Sequence, residues 1–151
     1  MAPSADAGSP YHPGELEVQA QAGVPEAARR VGQIIRPEIP PTAAAFLAAQ
    51  PLVVAGSVGS DGSVWASLLT GPPGFAAARS ERAIQIAPFD THDDRFLERV
   101  AATGTIALLA IEPATRRRVR LNGRAVVASD GSIAVTTEQV YANCPKYIQA
   151  R

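Results

Sequence analysis

The most constraining stretch of this sequence is 51–71, which predicts two β-strands joined by a tight turn. Residues 52–58 are apolar and rich in β-branched side chains, and residues 64–70 have the same character. Residues 59–62 read Gly-Ser-Asp-Gly, and an Asp-Gly pair between two apolar runs is a strong local signal for a β-hairpin. The chain is therefore expected to fold around an antiparallel pair of strands.

More short strands are predicted further along the chain. A loop containing two prolines covers 71–82, and the alternating residues 83–87 form the third predicted strand. The last three strands are predicted over 105–111, 116–128 and 132–140. Gly123 is expected to mark a bulge. Six short strands with tight turns indicate a mainly β fold with flanking helices, built as an antiparallel barrel.

The N-terminal third of the chain is predicted to be helical. Residues 1–10 are small and polar and predict a disordered tail. Helices are predicted over 15–22, 25–36 and 42–50. We therefore predict one domain in all, with a helical segment over 11–50 and a barrel over 51–151.

A further helix is predicted over 90–102. Asp90 and Thr91 are suitable caps, and acidic residues at 93 and 94 suit the positive end of a helix. Its apolar face is expected to hold Phe96, Leu97, Val100 and Ala101.

Composition excludes several classes of protein. With 14 basic and 14 acidic residues the formal net charge is zero, which argues against binding nucleic acid. No apolar run approaches about 18 residues, so no membrane span is predicted. The single cysteine, Cys144, excludes an internal disulfide, and the N-terminus lacks the features of a signal peptide. A cytoplasmic protein is expected.

The sequence offers few residues that could form a catalytic or metal-binding site. The two histidines, His12 and His92, both fall in predicted loops. His92 lies beside the carboxylates at 90, 93 and 94, but a solvated helix start accounts for the same residues. We predict no metal site and assign no catalytic residue.

Two segments are candidates for binding an anion. Arginines stand at 116, 117, 118 and 120, and Arg118 is the candidate phosphate ligand. The alternative is an exposed strand whose charges discourage aggregation, which suits Arg116 and Arg117. The second segment is 143–147, where Asn143 or Cys144 would cap a short helix beginning at Pro145.

Lys146 would lie in the first turn of that terminal helix, where a cation is unfavourable unless an anion offsets it. The alternative is that Lys146 reaches into solvent. Cys144 is either a thiol tuned by the same field or a buried structural one, and Tyr147 is either core or a ligand contact. Two roles are likewise possible for Trp65, since a lone Trp packs in a core or stacks against a planar ligand.

Four segments together resemble the pyridoxamine 5'-phosphate oxidase-like family of FMN-binding split barrels. They are YHPGELEVQ at 11–19, residues 39–75 with WASLLTGPPGF, RRRVRLNGRAV at 116–126 and NCPKYIQ at 143–149. The resemblance implies a six-stranded split barrel that forms a homodimer, with FMN in a cleft at the subunit interface. It is strongest for a subgroup of flavin-nucleotide-binding proteins that carry the NCPKYI motif.

The resemblance also implies which residues hold the cofactor. Residues 65–70 would line the flavin ring largely through backbone groups, namely Trp65, Ala66, Ser67, Leu68, Leu69 and Thr70. Arg118 matches a position that gives a polar side chain to the cofactor. The oxidases bind phosphate where this chain has acidic residues at 90, 93 and 94, so the expected phosphate site becomes Lys146, Arg118 and the helix start at Asn143. Cys144 and Tyr147 are also expected among the cofactor-binding residues.

The implied function is an FMN-dependent oxidoreductase with an unknown small-molecule substrate and electron donor. The oxidases hold pyridoxamine phosphate with a C-terminal Trp and Arg that have no counterpart before Arg151, so oxidation of vitamin B6 is not expected. The alternative is a non-catalytic module that binds, stores or senses flavin, haem or a deazaflavin, since no acid–base set is evident.

Overall fold

The computed structural model describes residues 9–142, 146 and 148–150. Two compact units divide the chain, Met1–Arg36 and Pro37–Arg151. Most of the predicted tail, residues 1–8, lies outside the described residues. The single domain with a helical segment over 11–50 stays a prediction.

The first unit holds two short helices, α1 (Pro13–Gln21) and α2 (Pro25–Gly32). His12 caps α1, since its Nδ1 accepts from the Gly14 N–H at 3.0 Å while the Glu15 carboxylate accepts from the His12 N–H at 2.9 Å. The Tyr11 hydroxyl donates to the Ala28 carbonyl at 3.0 Å and ties the two helices together. Both helices were predicted, but α2 ends earlier than the expected residue 36.

The second unit is an antiparallel sheet with two helices, α3 (Pro41–Ala48) and α4 (Phe96–Thr103). Its seven strands are β1 (Leu52–Val58), β2 (Val64–Thr70), β3 (Ala76–Ser80), β4 (Ala83–Ile86), β5 (Thr105–Glu112), β6 (Arg117–Val127) and β7 (Ile133–Tyr141). Their order across the sheet is β2-β1-β5-β6-β7-β4-β3, so β2 and β3 are the edge strands. The predicted fold class, mainly β and antiparallel with flanking helices, is confirmed.

The strand count was predicted as six and is seven, because part of the expected loop over 71–82 forms β3. Residues 76–80 read Ala-Ala-Ala-Arg-Ser, which has no local preference for a strand. Pairing with β4, through a register shift between Ala78 and Ser80, makes this segment a strand. Tertiary contact therefore decides its conformation.

The start of α4 is a second correction. The helix begins at Phe96, with Arg95 rather than Asp90 or Thr91 at its N-cap. Asp90 instead pairs with Thr70, each donating its backbone N–H to the other's carbonyl at 2.9 Å. The helix ends at Thr103, one residue beyond the expected 102, and its C-cap Gly104 has a left-handed φ of 62°.

The predicted bulge at Gly123 is confirmed. The register between β6 and β7 shifts between Asn122 and Gly123. A Cβ on Gly123 would lie 2.0 Å from the Thr136 carbonyl oxygen, so the close approach of the two backbones requires glycine.

The core lies on one side of the sheet, which we call the inner face. Its largest fully buried side chains include Leu47, Leu69, Phe96, Ile106, Leu108 and Leu121. Because α3 contributes Leu47 and α4 contributes Phe96, both helices pack against this face. We call the opposite side of the sheet the outer face.

Candidate functional site

The residues predicted to line a cofactor lie on the edge strand β2, with side chains on both of its faces. Ser67 and Leu69 are buried on the inner face. Leu68 points outward and is 52% exposed, and side chains alternate along a strand, so Ala66 and Thr70 share its face. The lining role of residues 65–70 stays a prediction, and within this segment the outward side chains are those of Ala66, Leu68 and Thr70.

A single cross-strand row connects Leu68 with a cationic side chain. Leu68 is paired with Val54 on β1, and Val54 is paired with Leu109 on β5. Leu109 in turn is paired with Arg120 on β6. Directly opposed residues place their side chains on the same face, so Leu68 and Arg120 both lie on the outer face. Arg118, two residues away on β6, shares that face.

The outer face has an apolar half and a polar half. On β2, β1 and β5 the outward side chains are mostly apolar and include Ala66, Leu68, Val54, Val58, Ala107, Leu109 and Ile111. On β6 and β7 they are mostly polar and include Arg118, Arg120, Asn122, Gln139 and Tyr141. The Asn122 amide donates to Gln139 Oε1 at 3.2 Å, which fixes one part of the polar half.

The backbone of β2 also faces an open edge. Thr70 bonds Asp90 through both its N–H and its C=O, on the side away from β1. Backbone groups of successive residues alternate in direction along an antiparallel strand, so those of Leu68 and Ala66 point to the same side. An edge strand in this position presents hydrogen-bonding groups to a neighbouring molecule.

Arginines line a cavity of about 270 Å³ where β6 begins. The residues around it are Thr42, Ala43, Phe46, Arg116, Arg117, Arg118, Val119 and Ala142. The Arg117 guanidinium carbon lies 4.6 Å from the centre of the Phe46 ring, a cation–π contact. Arg116 and Arg117 are exposed, as predicted, and Arg118 is half-buried. This lining includes three cations and no carboxylate, so the cavity favours an anion.

A polar network on the inner face of β2 was not predicted. Arg99 on α4 is buried, and its terminal nitrogen forms an ion pair with Asp93. Its Nε donates to the Ser57 hydroxyl on β1 at 3.0 Å, and its guanidinium carbon lies 5.0 Å from the centre of the Trp65 ring. The Ser67 hydroxyl donates to the same Asp93 carboxylate. The side chain of Ser67 is therefore part of this network.

Burial alone would raise the pKa of the Asp93 carboxyl. The hydrogen bonds from Ser67 and Arg99, together with the charge of Arg99, outweigh it and hold that pKa below its usual range. Asp93 is thus a carboxylate already balanced by a buried cation.

The burial and pairing of Arg99 could have been predicted from its position in the sequence. It stands three residues after Phe96 and one before Val100, both buried on α4, whereas the expected apolar residue Ala101 is exposed. A cation within a buried helical stripe needs an anion nearby. The acidic residues ahead of the helix were the available source.

The second predicted anion site falls mostly outside the described residues. Asn143, Cys144, Pro145 and Tyr147 are not described, and Lys146 is exposed. Binding of phosphate by Lys146 and its neighbours stays a prediction.

No group of three or more His, Cys, Asp or Glu side chains is placed to hold a metal within the described part of the chain. Among the same residues, no helix is long and apolar enough to cross a membrane. His92 lies exposed in the loop before α4, and the side chain of His12 caps α1.

Comparison with protein families gives one match that covers most of the chain. A model of the family described as pyridoxamine 5'-phosphate oxidase matches residues 39–151. A sequence search against curated proteins finds no match.

Several solved structures share the fold. A Lactobacillus delbrueckii protein described as a candidate pyridoxamine 5'-phosphate oxidase has a TM-score of 0.54 and 18% identity, over 70% of this chain and 95% of its own. An FMN-binding protein from Syntrophomonas wolfei has a TM-score of 0.53 and 9% identity, over 86% and 97%. HupZ from Group A Streptococcus has a TM-score of 0.53 and 11% identity, over 67% and 91%. Identities this low establish a common fold and nothing more.

Proposed function

The chain belongs to the pyridoxamine 5'-phosphate oxidase family, and on that premise we propose that it binds FMN and acts as a flavin-dependent oxidoreductase on a small molecule. The observation that carries the proposal is the division of the outer face into an apolar half and an arginine-bearing half. FMN has the same division, because a flat ring system is joined to an anionic phosphate.

The apolar half suits the flavin ring. Leu68 and Val54 would contact the ring and exclude water from it, with Leu109 beside them in the same row. The backbone groups of Ala66 and Leu68 at the open edge of β2 would bind the polar rim of the ring. This arrangement supports the predicted lining role of 65–70, which rests on backbone rather than on side-chain chemistry.

The arginine half suits the phosphate. Arg118 lies both on the outer face and in the lining of the 270 Å³ cavity, where Arg116 and Arg117 add positive charge. A guanidinium binds phosphate oxygens in pairs through its planar fork. Lys146, with the predicted helix start at Asn143 and Cys144 and with Tyr147, is part of the same proposed phosphate site.

A homodimer is part of the proposal, with the flavin at the subunit interface. Leu68 is 52% exposed and Val64 is 79% exposed on β2, beside the outward apolar residues of β1 and β5. Contiguous exposed apolar surface marks an interaction site. A second copy of the chain would cover the apolar half and enclose the ring.

When bound, the flavin supplies the electron- or hydride-transfer chemistry. The residues of the chain hold its phosphate, orient its ring and exclude water. Among the described residues, the outward polar side chains nearest the Leu68–Arg120 row are those of Arg118, Arg120, Asn122, Gln139 and Tyr141, and the exposed carboxylate of Glu138 is paired with Arg124, so we assign no general base.

That composition favours one second candidate, a module that binds or senses a flavin, haem or deazaflavin without catalysis. Reduction of the bound flavin by NADH or NADPH at a rate well above that of free FMN separates the two, since a storage module has no need of it. We place the protein in the cytoplasm under either function, because its single cysteine suits a reducing compartment.

The experiment is a spectrum of the purified protein with mass analysis of the released ligand, followed by titration of the ligand-free protein with FMN. We expect flavin absorption and saturable uptake of FMN, with weaker uptake of riboflavin, which lacks the phosphate. A colourless protein that takes up no FMN contradicts the proposal.

A further inference from the structure

Resting on the proposed function, we infer that Arg99 is a positioning residue: from the inner face it fixes the strand β2 along which the cofactor lies. It does so through Asp93 and the ring of Trp65. Its side chain lies on the opposite side of the sheet from the proposed flavin ring, so it acts on the cofactor only through the strand.

The strand β2 lacks a second neighbouring strand. It is an edge strand and has a paired strand, β1, on one side only. The loop before α4, residues 90–94, supplies two attachments instead. Asp90 bonds the backbone of Thr70 through two hydrogen bonds of 2.9 Å, and Asp93 accepts from the Ser67 hydroxyl. Both attachments fall inside the segment that would line the flavin.

Arg99 connects these attachments to the rest of the hairpin. Its guanidinium pairs with Asp93 and donates to Ser57 on β1 at 3.0 Å. It also lies 5.0 Å from the centre of the Trp65 ring. One side chain from α4 thus contacts both strands of the hairpin and the loop that holds β2.

The burial of the Arg99–Asp93 ion pair needs a reason other than stability. The side chain of Arg99 is 7% exposed, among apolar neighbours such as Phe96 and Val100. Replacing a buried ion pair by apolar residues of similar volume often leaves the free energy of unfolding unchanged or raises it. A contribution of the ion pair to the geometry of β2 explains the choice of arginine, because its directional bonds fix the position of each partner.

The chain provides its own reporter. Trp65 is the single tryptophan in the sequence and contacts Arg99 directly. Its fluorescence reports the network without any cofactor. Amide hydrogen exchange of 64–70 reports the order of β2, likewise without FMN.

The test compares Arg99→Met, Arg99→Lys and Asp93→Asn with the control Arg95→Met. Arg95 stands at the cap of the same helix, 72% exposed and paired with Glu98. For Arg99→Met we expect shifted Trp65 emission, exchange of the β2 amides about tenfold faster, FMN binding about tenfold weaker and a changed visible circular dichroism of bound flavin. Arg99→Lys should recover part of each effect, Asp93→Asn should resemble Arg99→Met, and Arg95→Met should resemble the wild type.

The outcomes separate the inference from the proposed function. A folded Arg99→Met protein with unchanged β2 exchange and unchanged FMN affinity overturns the inference. If Arg99→Met does not fold, Arg99→Lys and Asp93→Asn carry the same comparison. If the wild type takes up no FMN, the proposed function fails, and the exchange of 64–70 alone decides whether Arg99 fixes the strand.

Discussion

Leu68 and Arg120 belong to one cross-strand row on the outer face of the sheet. Two strands separate them, at about 4.8 Å per strand spacing. The side chains of the row therefore change from apolar to cationic over a distance comparable to the length of a small ligand. This relationship connects the proposed dimer interface, which would contain Leu68, with the proposed phosphate site beside Arg118.

Replacing Leu68 by aspartate is expected to disrupt the homodimer. Leu68 is 52% exposed in the single chain, and a second copy would bury the new carboxylate in an apolar surface. The dissociation constant of the dimer should rise by about tenfold or more. Light scattering coupled to size-exclusion chromatography measures it. Thr136→Asp adds the same charge to the outer face on β7, beyond the apolar half, and should leave the dimer intact. An equal dissociation constant for the two variants places the interface elsewhere.

Replacing Arg118 by methionine is expected to weaken FMN by about tenfold, because losing a charged hydrogen bond costs about 1.5–3 kcal/mol. Methionine keeps much of the apolar stem, which limits damage to packing. Titration of the ligand-free protein gives the affinity. Arg124→Met removes an exposed arginine of the same strand, paired with Glu138, and should bind FMN like the wild type. A loss shared by FMN and riboflavin would argue against a phosphate contact.

Replacing Lys146 by alanine is expected to weaken FMN by roughly tenfold or more, from the same loss of a charged hydrogen bond. Riboflavin should bind the variant and the wild type equally, since it carries no phosphate. Arg79→Ala removes an exposed cation from β3 and serves as the control for net charge. Unchanged FMN affinity in Lys146→Ala would place the phosphate elsewhere, with Arg118 the remaining candidate.

Much of the fold follows from local sequence. The hairpin strands run from Leu52 to Val58 and from Val64 to Thr70, as predicted, because the Asp-Gly turn and the β-branched residues act locally. The strand that carries Arg118 was also predicted, and its side chains alternate, with Val119 buried beside the half-buried Arg118. These features need no knowledge of distant partners.

Other features depend on contacts between distant segments. The alanines of β3 have no strand preference of their own, and β4 determines their conformation. Asp90 has the chemistry of a helix cap, but pairing with Thr70 prevails. Arg99 is the clearest case, since its burial makes sense only once Asp93 is placed beside it. For the same reason the polar network was missed while the strands on either side of it were found.

Asp93 is expected to make folding stability depend on pH below about pH 4. Its pKa is lowered in the folded state, so between that value and the usual aspartate value of about 3.9 the unfolded chain binds more protons. Its stabilising contribution is complete above the usual value and is lost as the pH falls through the folded-state value. Urea unfolding between pH 3 and 6, roughly the range where carboxylates titrate, should show a shallower pH dependence for Asp93→Asn than for the wild type. Identical slopes would show that the ion pair with Arg99 does not affect folding.

Replacing Gly123 by alanine is expected to destabilise the fold by about 1–3 kcal/mol. The added Cβ would lie 2.0 Å from the Thr136 carbonyl oxygen, and a backbone atom cannot move aside as a flexible side chain can. Gly56→Ala is the matched control, because its Cβ would meet the Ala107 Cβ at 3.3 Å and needs only a small shift. The free energies of urea unfolding should therefore fall in the order wild type, Gly56→Ala, Gly123→Ala. If Gly123→Ala were as stable as Gly56→Ala, the bulge would be adaptable, and the register it sets between β6 and β7 would not be fixed by glycine.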